Sequence, residues 1–145
     1  MAKDENMPVF KEKIPYLKEL GIDFVLDTKS GVPFYRQIIQ MVEYNMYVGK
    51  LKPGDKLPTI RSLAINLKIN PNTIAKAYTE LEIRGLVQTQ SGSGTFISNK
   101  KIDINAIEME KKINELCAEF INKTKSLGIS KDEIIETLKN FKEEE

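Results

Sequence analysis

Hydrophobic positions change period several times along the chain. Tyr35, Ile38, Ile39, Val42 and Met46 recur at the i, i+3, i+4, i+7 spacing of one helix face. With Pro33 at the start, where a missing N–H is tolerated, this predicts a helix to about Val48, stopped by Gly49. Residues 51–58 read as a Pro-Gly turn between short extended pieces. A second helix follows Thr59, a capping residue, and runs to about Lys68 with Ile60, Leu63, Ala64 and Leu67 facing inward. Asn70 caps a third, with Pro71 at its first position and Ile74, Ala77, Tyr78 and Leu81 as its buried stripe. Two short strands, 86–90 and 95–98, are joined by Ser91-Gly92-Ser93-Gly94.

The flanks are patterned differently. A short helix is expected at 10–20, interrupted by Pro15, then a strand at 22–27 and a turn at 28–31. After the strand pair, a long amphipathic helix is expected at 103–127, with Ile107, Ile113, Leu116, Cys117, Phe120 and Ile121 on one side and Gly128 at its end. In the last helix, Ser130 sits three residues ahead of Glu133 as a capping box, and Ile134, Ile135, Leu138 and Phe141 form the apolar face. Two such helices have too little mutual contact to bury both stripes, so they must pack on the domain or on a second chain.

Helix, extended segment, helix, tight turn, helix and β-hairpin is the order of a winged helix-turn-helix. The expected fold class is mainly α with a small β-hairpin wing, α+β, carrying a C-terminal α-helical arm. The expected division is an N-terminal extension at 1–30, a DNA-binding domain at 31–99 and a two-helix region at 100–145, to which the resemblance described below assigns dimerisation.

Composition narrows the function. At 145 residues the chain holds one good core with arms. Net charge is +1, but it divides unevenly: residues 1–32 sum to −1, residues 33–100 to +5 and residues 101–145 to −3. A basic middle beside an acidic tail suits a polyanion-binding module on an assembly arm. The chain has no histidine and one cysteine, which removes the commonest ligand or base for zinc, haem and triad chemistry. No metal and no cofactor are expected, and Cys117, near Leu116 and Phe120, is expected to be a buried packing residue. The N-terminus lacks a signal-peptide apolar region, so a cytoplasmic location is expected.

The run Ser91-Gly92-Ser93-Gly94-Thr95 invites a phosphate-loop reading, but no Gly-Lys-Ser/Thr follows it and no strand leads through it into a helix. Its glycines instead suit a tight wing turn that brings backbone close to a polyanion. On the third helix, Asn72, Lys76 and Thr79 lie opposite the buried stripe. Asn can pair bidentately with adenine and Lys can reach guanine or phosphate, while Thr73 can bond a phosphate alongside free N–H groups at the helix start. Glu80, Glu82 and Arg84 read as a solvated face.

Residues 31–98 resemble the winged-helix domain of GntR-family bacterial transcription regulators nearly end to end. The resemblance rests on Pro33-Phe34-Tyr35, Gly49, Leu51, residues 53–58, Arg61, Leu63-Ala64, Asn70-Pro71-Asn72-Thr73, Leu81, Gly85-Leu86-Val87, Gly92 and Gly94-Thr95-Phe96. The short C-terminal part is similar to the YtrA-like subfamily, in which two terminal helices make a homodimer. The resemblance implies contact with an operator in double-stranded DNA through Arg61, Asn70, Asn72 and Thr73, with Ser91 and Gly92 near the minor groove or backbone. Thr59, Ser62 and Lys76 join this candidate set, with Thr59 and Asn70 read also as caps. Pro71 and Ala75 stand where other members often carry arginine, so their operators do not transfer. The dimerisation set is Ile107, Ile113, Leu116, Cys117, Phe120, Ile134 and Leu138. Repression of a neighbouring transport operon is what the resemblance suggests.

Two other readings stay open. A winged helix serving as a protein-interaction module would carry apolar or acidic side chains on the outward third-helix face. An enzyme reading rests on relatives fused to an aminotransferase-like domain, which residues 99–145 are too few to hold. A small-molecule effector could bind between dimer arms, through Cys117 or at the N-terminal extension.

Overall fold

The computed structural model describes residue 22 and residues 24–142. The helix expected at 10–20 lies outside them. Among the described residues, seven elements follow one another: α1 (Phe34–Tyr47), α2 (Ile60–Leu67), α3 (Pro71–Ile83), β1 (Val87–Gln90), β2 (Gly94–Ile97), α4 (Ile104–Ser126) and α5 (Lys131–Lys139).

The caps fall where the sequence places them. Thr59 Oγ1 accepts from the Ser62 N–H at 3.0 Å, Asn70 Oδ1 from the Asn72 N–H at 2.9 Å and Ser130 Oγ from the Glu133 N–H at 3.2 Å. Between α2 and α3 the chain turns through Lys68, whose φ of 56° makes it the one non-glycine residue in the left-handed region among the described residues. This residue ends α2 abruptly enough for Asn70 to start α3 two residues later.

Ile38, Ile39 and Val42 of α1, Leu63 and Leu67 of α2, and Ile74, Ala77 and Leu81 of α3 close a single core. Phe24 and Leu26 add to it from the expected strand region, which is extended with one isolated bridge residue, Val25. The Tyr78 hydroxyl donates to the Pro58 carbonyl at 2.7 Å inside this core, and burial raises its pKa well above the tyrosine range. The bond pins α3 to the approach of α2. Tyr78→Phe, which strands the Pro58 oxygen, is therefore expected to cost about 1–2 kcal/mol in urea denaturation.

The wing has one strand-like piece more than expected. β1 and β2 pair antiparallel, Val87 opposite Ile97 and Gln90 opposite Gly94. On the other edge of β2, residues 54–57 pair through Gly54 N–H to Ile97 O, Ile97 N–H to Asp55 O and Leu57 N–H to Thr95 O, each at 2.8 Å. The Pro-Gly turn thus forms a third ribbon that braces the wing from beneath. Gly94 has a φ of 126°, and a Cβ there would sit 2.6 Å from Lys56 Cε. The Lys56 end can swing aside, so it is the left-handed φ that favours glycine here.

The arm departs from its expected facing. On α4, Ile107, Asn114 and Ala118 are buried while Ile113, Leu116, Cys117 and Phe120 are exposed. Ile107 and Leu116 are nine residues apart, which at 3.6 residues per turn is half a turn. The helix therefore carries two faces, one packed on α1 and the turn before it, and one apolar face turned outward. Ile107 belongs to the first and is buried within its own chain. Cys117 belongs to the second, so the expectation that it packs in the core is corrected.

Candidate nucleic-acid interface

Arg61, Asn72 and Lys76 are exposed on the outward side of α2 and α3, and Ser91 and Gly92 are exposed at the wing tip. Thr59 is exposed, whereas Ser62 and Thr73 are half-buried. Thr59, Arg61, Ser62, Ile65 and Asn66 line one shallow concavity on α2. Two neighbouring helices and the wing thus present one polar surface, with Arg61 making no ion pair among the described residues.

The start of α3 differs from expectation. Pro71 has no N–H, the Asn72 N–H bonds Asn70 Oδ1, and the Thr73 N–H bonds the Asn70 carbonyl at 3.0 Å. The Asn72 and Thr73 N–H groups are spent on capping, so any contact made here falls to side chains. The Asn70 oxygen is held by the helix, which leaves its exposed amide NH₂ alongside the Asn72 and Thr73 side chains.

Lys76 is also constrained. Its ammonium lies 4.0 Å from the centroid of the Tyr35 ring, and the Arg36 guanidinium lies 5.3 Å from the same ring. A cation over an aromatic face is attracted by the ring quadrupole. Tyr35, assigned by its spacing to the buried stripe, is half-buried and serves as a shelf for two cations beside the recognition helix. Lys56 adds a cation under the wing. The Lys-Pro-Gly-Asp-Lys segment could have shown it, but nothing local marks Tyr35 as the support of Lys76, which is 41 residues away.

Arg84 corrects another expectation. It lies off the solvated face, its Nε on Glu80 Oε1 at 3.1 Å, Nη1 on Glu43 Oε1 at 3.2 Å, and Nη1 and Nη2 on the two Glu110 oxygens at 2.9 Å each. Arg36 Nη1 approaches Glu110 Oε1 at 3.8 Å. The end of α3 is thereby tied to both α1 and α4. Hydrogen bonding to Glu110 is the main cause that raises the Arg84 pKa, and burial is the main cause that raises that of Glu43.

A tight-turned helix pair whose second helix shows a polar outer face, followed at once by a glycine-tipped wing, defines a winged helix-turn-helix DNA-binding protein. Comparison with known proteins agrees. The profile of the family described as "Bacterial regulatory proteins, gntR family" matches residues 34–97. The HTH-type transcriptional regulator YhcF of Bacillus subtilis is 40% identical over 115 residues, covering 79% of this chain and 94% of that protein. The HTH-type transcriptional repressor YtrA of the same organism is 49% identical over 73 residues, covering 50% of this chain and 56% of that one. A solved transcriptional antiterminator from Listeria monocytogenes EGD-e superposes with a TM-score of 0.53 at 34% identity, covering 80% of this chain and 87% of the other. The chain belongs to the GntR family. It is accordingly a DNA-binding transcriptional regulator and not an enzyme. Among the described residues, no helix is long and apolar enough to cross a membrane, and no group of His, Cys, Asp and Glu could hold a metal ion.

Proposed function

We propose that the protein is a homodimeric repressor that places two copies of α3 in the half-sites of a pseudo-palindromic operator. The observation that carries this reading is the pairing of two unpartnered surfaces on one chain: the polar face of α2, α3 and the wing, and the apolar outer face of α4 and α5. Phosphate contacts supply salt-dependent affinity, and Asn72, Thr73 and Lys76 discriminate bases. The arm sets half-site spacing without touching DNA.

The apolar face favours a second copy as its occupant. Leu116, Leu138 and Phe141 are 65%, 56% and 72% exposed, and Phe120, Ile129, Ile134, Leu138 and Phe141 line a groove of about 610 Å³ between α4 and α5. An apolar surface of this kind on a two-fold assembly is self-complementary. Ile113, Leu116, Cys117, Phe120, Ile134 and Leu138 lie on it or in its groove, whereas Ile107 does not. The three-part division at 1–30, 31–99 and 100–145 is retained with this reading, as is control of a transport operon answering to a small-molecule effector.

Arg61 supplies the test of the DNA-facing surface. Arg61→Ala is expected to weaken binding to all duplexes and to lower the slope of log K against log salt by about one unit, because one phosphate contact is lost. Fluorescence anisotropy between low and physiological salt reads both. An unchanged slope and affinity would place the DNA elsewhere on the molecule.

A further inference from the structure

A cleft between α1 and α4 holds polar groups that neither the core nor the DNA-facing surface employs. Its main lobe has a volume of about 500 Å³, with Val25, Met41, Tyr44, Ile104 and Ile107 among its walls. It continues into a smaller lobe of about 160 Å³ through the shared residues Asp27, Gln37, Gln40 and Lys111. In this smaller lobe stand Gln40 and Asn114, whose Nε2 and Nδ2 atoms are fully enclosed and have no hydrogen-bond partner. The Asn114 residue is only 9% exposed.

The neighbouring Gln37 shows that this is not a general looseness of the region. Its amide is fully used: Oε1 accepts from the Asp27 N–H, and Nε2 donates to the carbonyls of Asp27 and Val32. One helical turn on, Gln40 has an enclosed NH₂ with no hydrogen-bond partner. Enclosed donors without acceptors are rare in folded proteins, and here two of them, on different helices, line one lobe. An apolar concavity with a few convergent polar groups is the general form of a small-molecule site.

We infer that this cleft binds a small, uncharged molecule with an apolar body and a carbonyl oxygen, the oxygen accepting from Gln40 Nε2 and Asn114 Nδ2. Charge decides against a carboxylate. The rim carries Asp27, Glu108 and Glu115 against Lys111 alone, so an anion meets net repulsion at the entrance. Asp27 is further held in place, its Oδ1 accepting from the Lys29 and Ser30 N–H groups.

The cleft spans α1, which belongs to the core beneath α3, and α4, which begins the arm. A ligand seated there changes the set of one against the other, and with it the spacing of paired recognition helices. This regulatory part rests on the dimeric-repressor reading above; the binding site does not.

The test is a nitrogen–proton NMR titration of the full chain with N-benzylacetamide, using phenylacetate as the anionic counterpart of similar size. The expected result is a saturable shift of the Gln40 and Asn114 side-chain amide signals by the acetamide. Phenylacetate should bind about ten-fold more weakly or worse, and Asn114→Leu should abolish the acetamide response. If both side-chain signals stay still up to the solubility of the acetamide, or if phenylacetate binds equally well, the site is refuted. The wild-type signals decide this even where the variant fails to fold. Saturation with the acetamide should also change operator affinity several-fold; a filled cleft with unchanged affinity refutes the regulatory part. Failure of the unliganded protein to bind DNA, with the NMR response intact, would instead strike the repressor reading.

Discussion

Arg84→Met is expected to cost the folded protein about 2–4 kcal/mol in urea denaturation, with Arg84→Lys recovering only a small part. The guanidinium makes four hydrogen bonds to three carboxylates, two of them a parallel pair with Glu110. Removing it leaves Glu43, whose side chain is 9% exposed, without a counter-charge of its own and facing Glu110, which keeps the 3.8 Å approach of Arg36. Breaking a buried ion pair by deleting one partner costs about 3–5 kcal/mol, and the figure here is set lower because Arg84 itself is 27% exposed. Lysine offers a point charge and cannot reproduce the planar fork.

The loss should depend on pH. Burial raises the Glu43 pKa above 4.5, Arg84 opposes that rise and Glu110 adds to it. Without Arg84 the native-state pKa rises further above the unfolded value, so the folded variant binds more protons than the unfolded chain in the window just above 4.5. Its stability therefore increases as pH falls into that window, and the gap to wild type narrows. A gap that widens on acidification would show that Glu43 is not the residue left unpaired. There is a functional counterpart. Arg84 ties the end of the recognition helix to the arm, so its loss should relax the preference for one half-site spacing as well as the stability.

Combining Phe120→Glu with Leu138→Glu is expected to convert a dimer to a monomer and to weaken operator binding by about 10²–10⁴-fold. Both side chains are largely exposed within one chain, at 45% and 56%, so the fold of the monomer should hold. In a dimer, one bound half-site raises the effective concentration of the second recognition helix, and that gain vanishes when the copies separate. Sedimentation velocity reads the first effect and anisotropy on an isolated half-site and on the full site reads the second. Wild-type mass at monomer size, or equal affinity of the wild type and the double variant for the full site, would contradict the assignment of this face.

Much of this architecture was legible in the sequence because it depends on local spacing. The stripes of α1, α2 and α3 have the helix period, although Ile60, grouped with the inward face of α2, is 37% exposed at the helix start; Thr59, Asn70 and Ser130 are caps whose partners lie two or three residues away. What the sequence concealed depends on pairing across the chain. Glu80 and Arg84 are visible as an i, i+4 pair, but Glu43 and Glu110 are 41 and 26 positions from Arg84. The ribbon at 54–57 is flanked by Pro53 and Pro58 and reads as a turn until β2 is placed beside it. Helix α4 is misleading for a different reason. It has a mixed inward face and an apolar outward one, and grouping Ile107 with Leu116 by hydrophobicity alone overlooks their half-turn separation.

The candidate site shows the same division. Arg61, Asn72 and the wing tip were accessible to motif and periodicity. Tyr35 was not, since its shelf exists only once α1 lies beside α3. Nor were the first-turn N–H groups of α3, which seemed free for phosphate until the Asn70 cap and the missing Pro71 donor were both counted.

The central claim is that a symmetric pair of recognition helices reads DNA. A binding selection on random duplex DNA with the purified full-length chain tests it most directly. Enrichment of a site with two inverted half-sites at fixed spacing, lost on Asn72→Ala in the positions read by α3, is the predicted result. Enrichment of no sequence, or of a single asymmetric site that Asn72→Ala leaves unchanged, would contradict it.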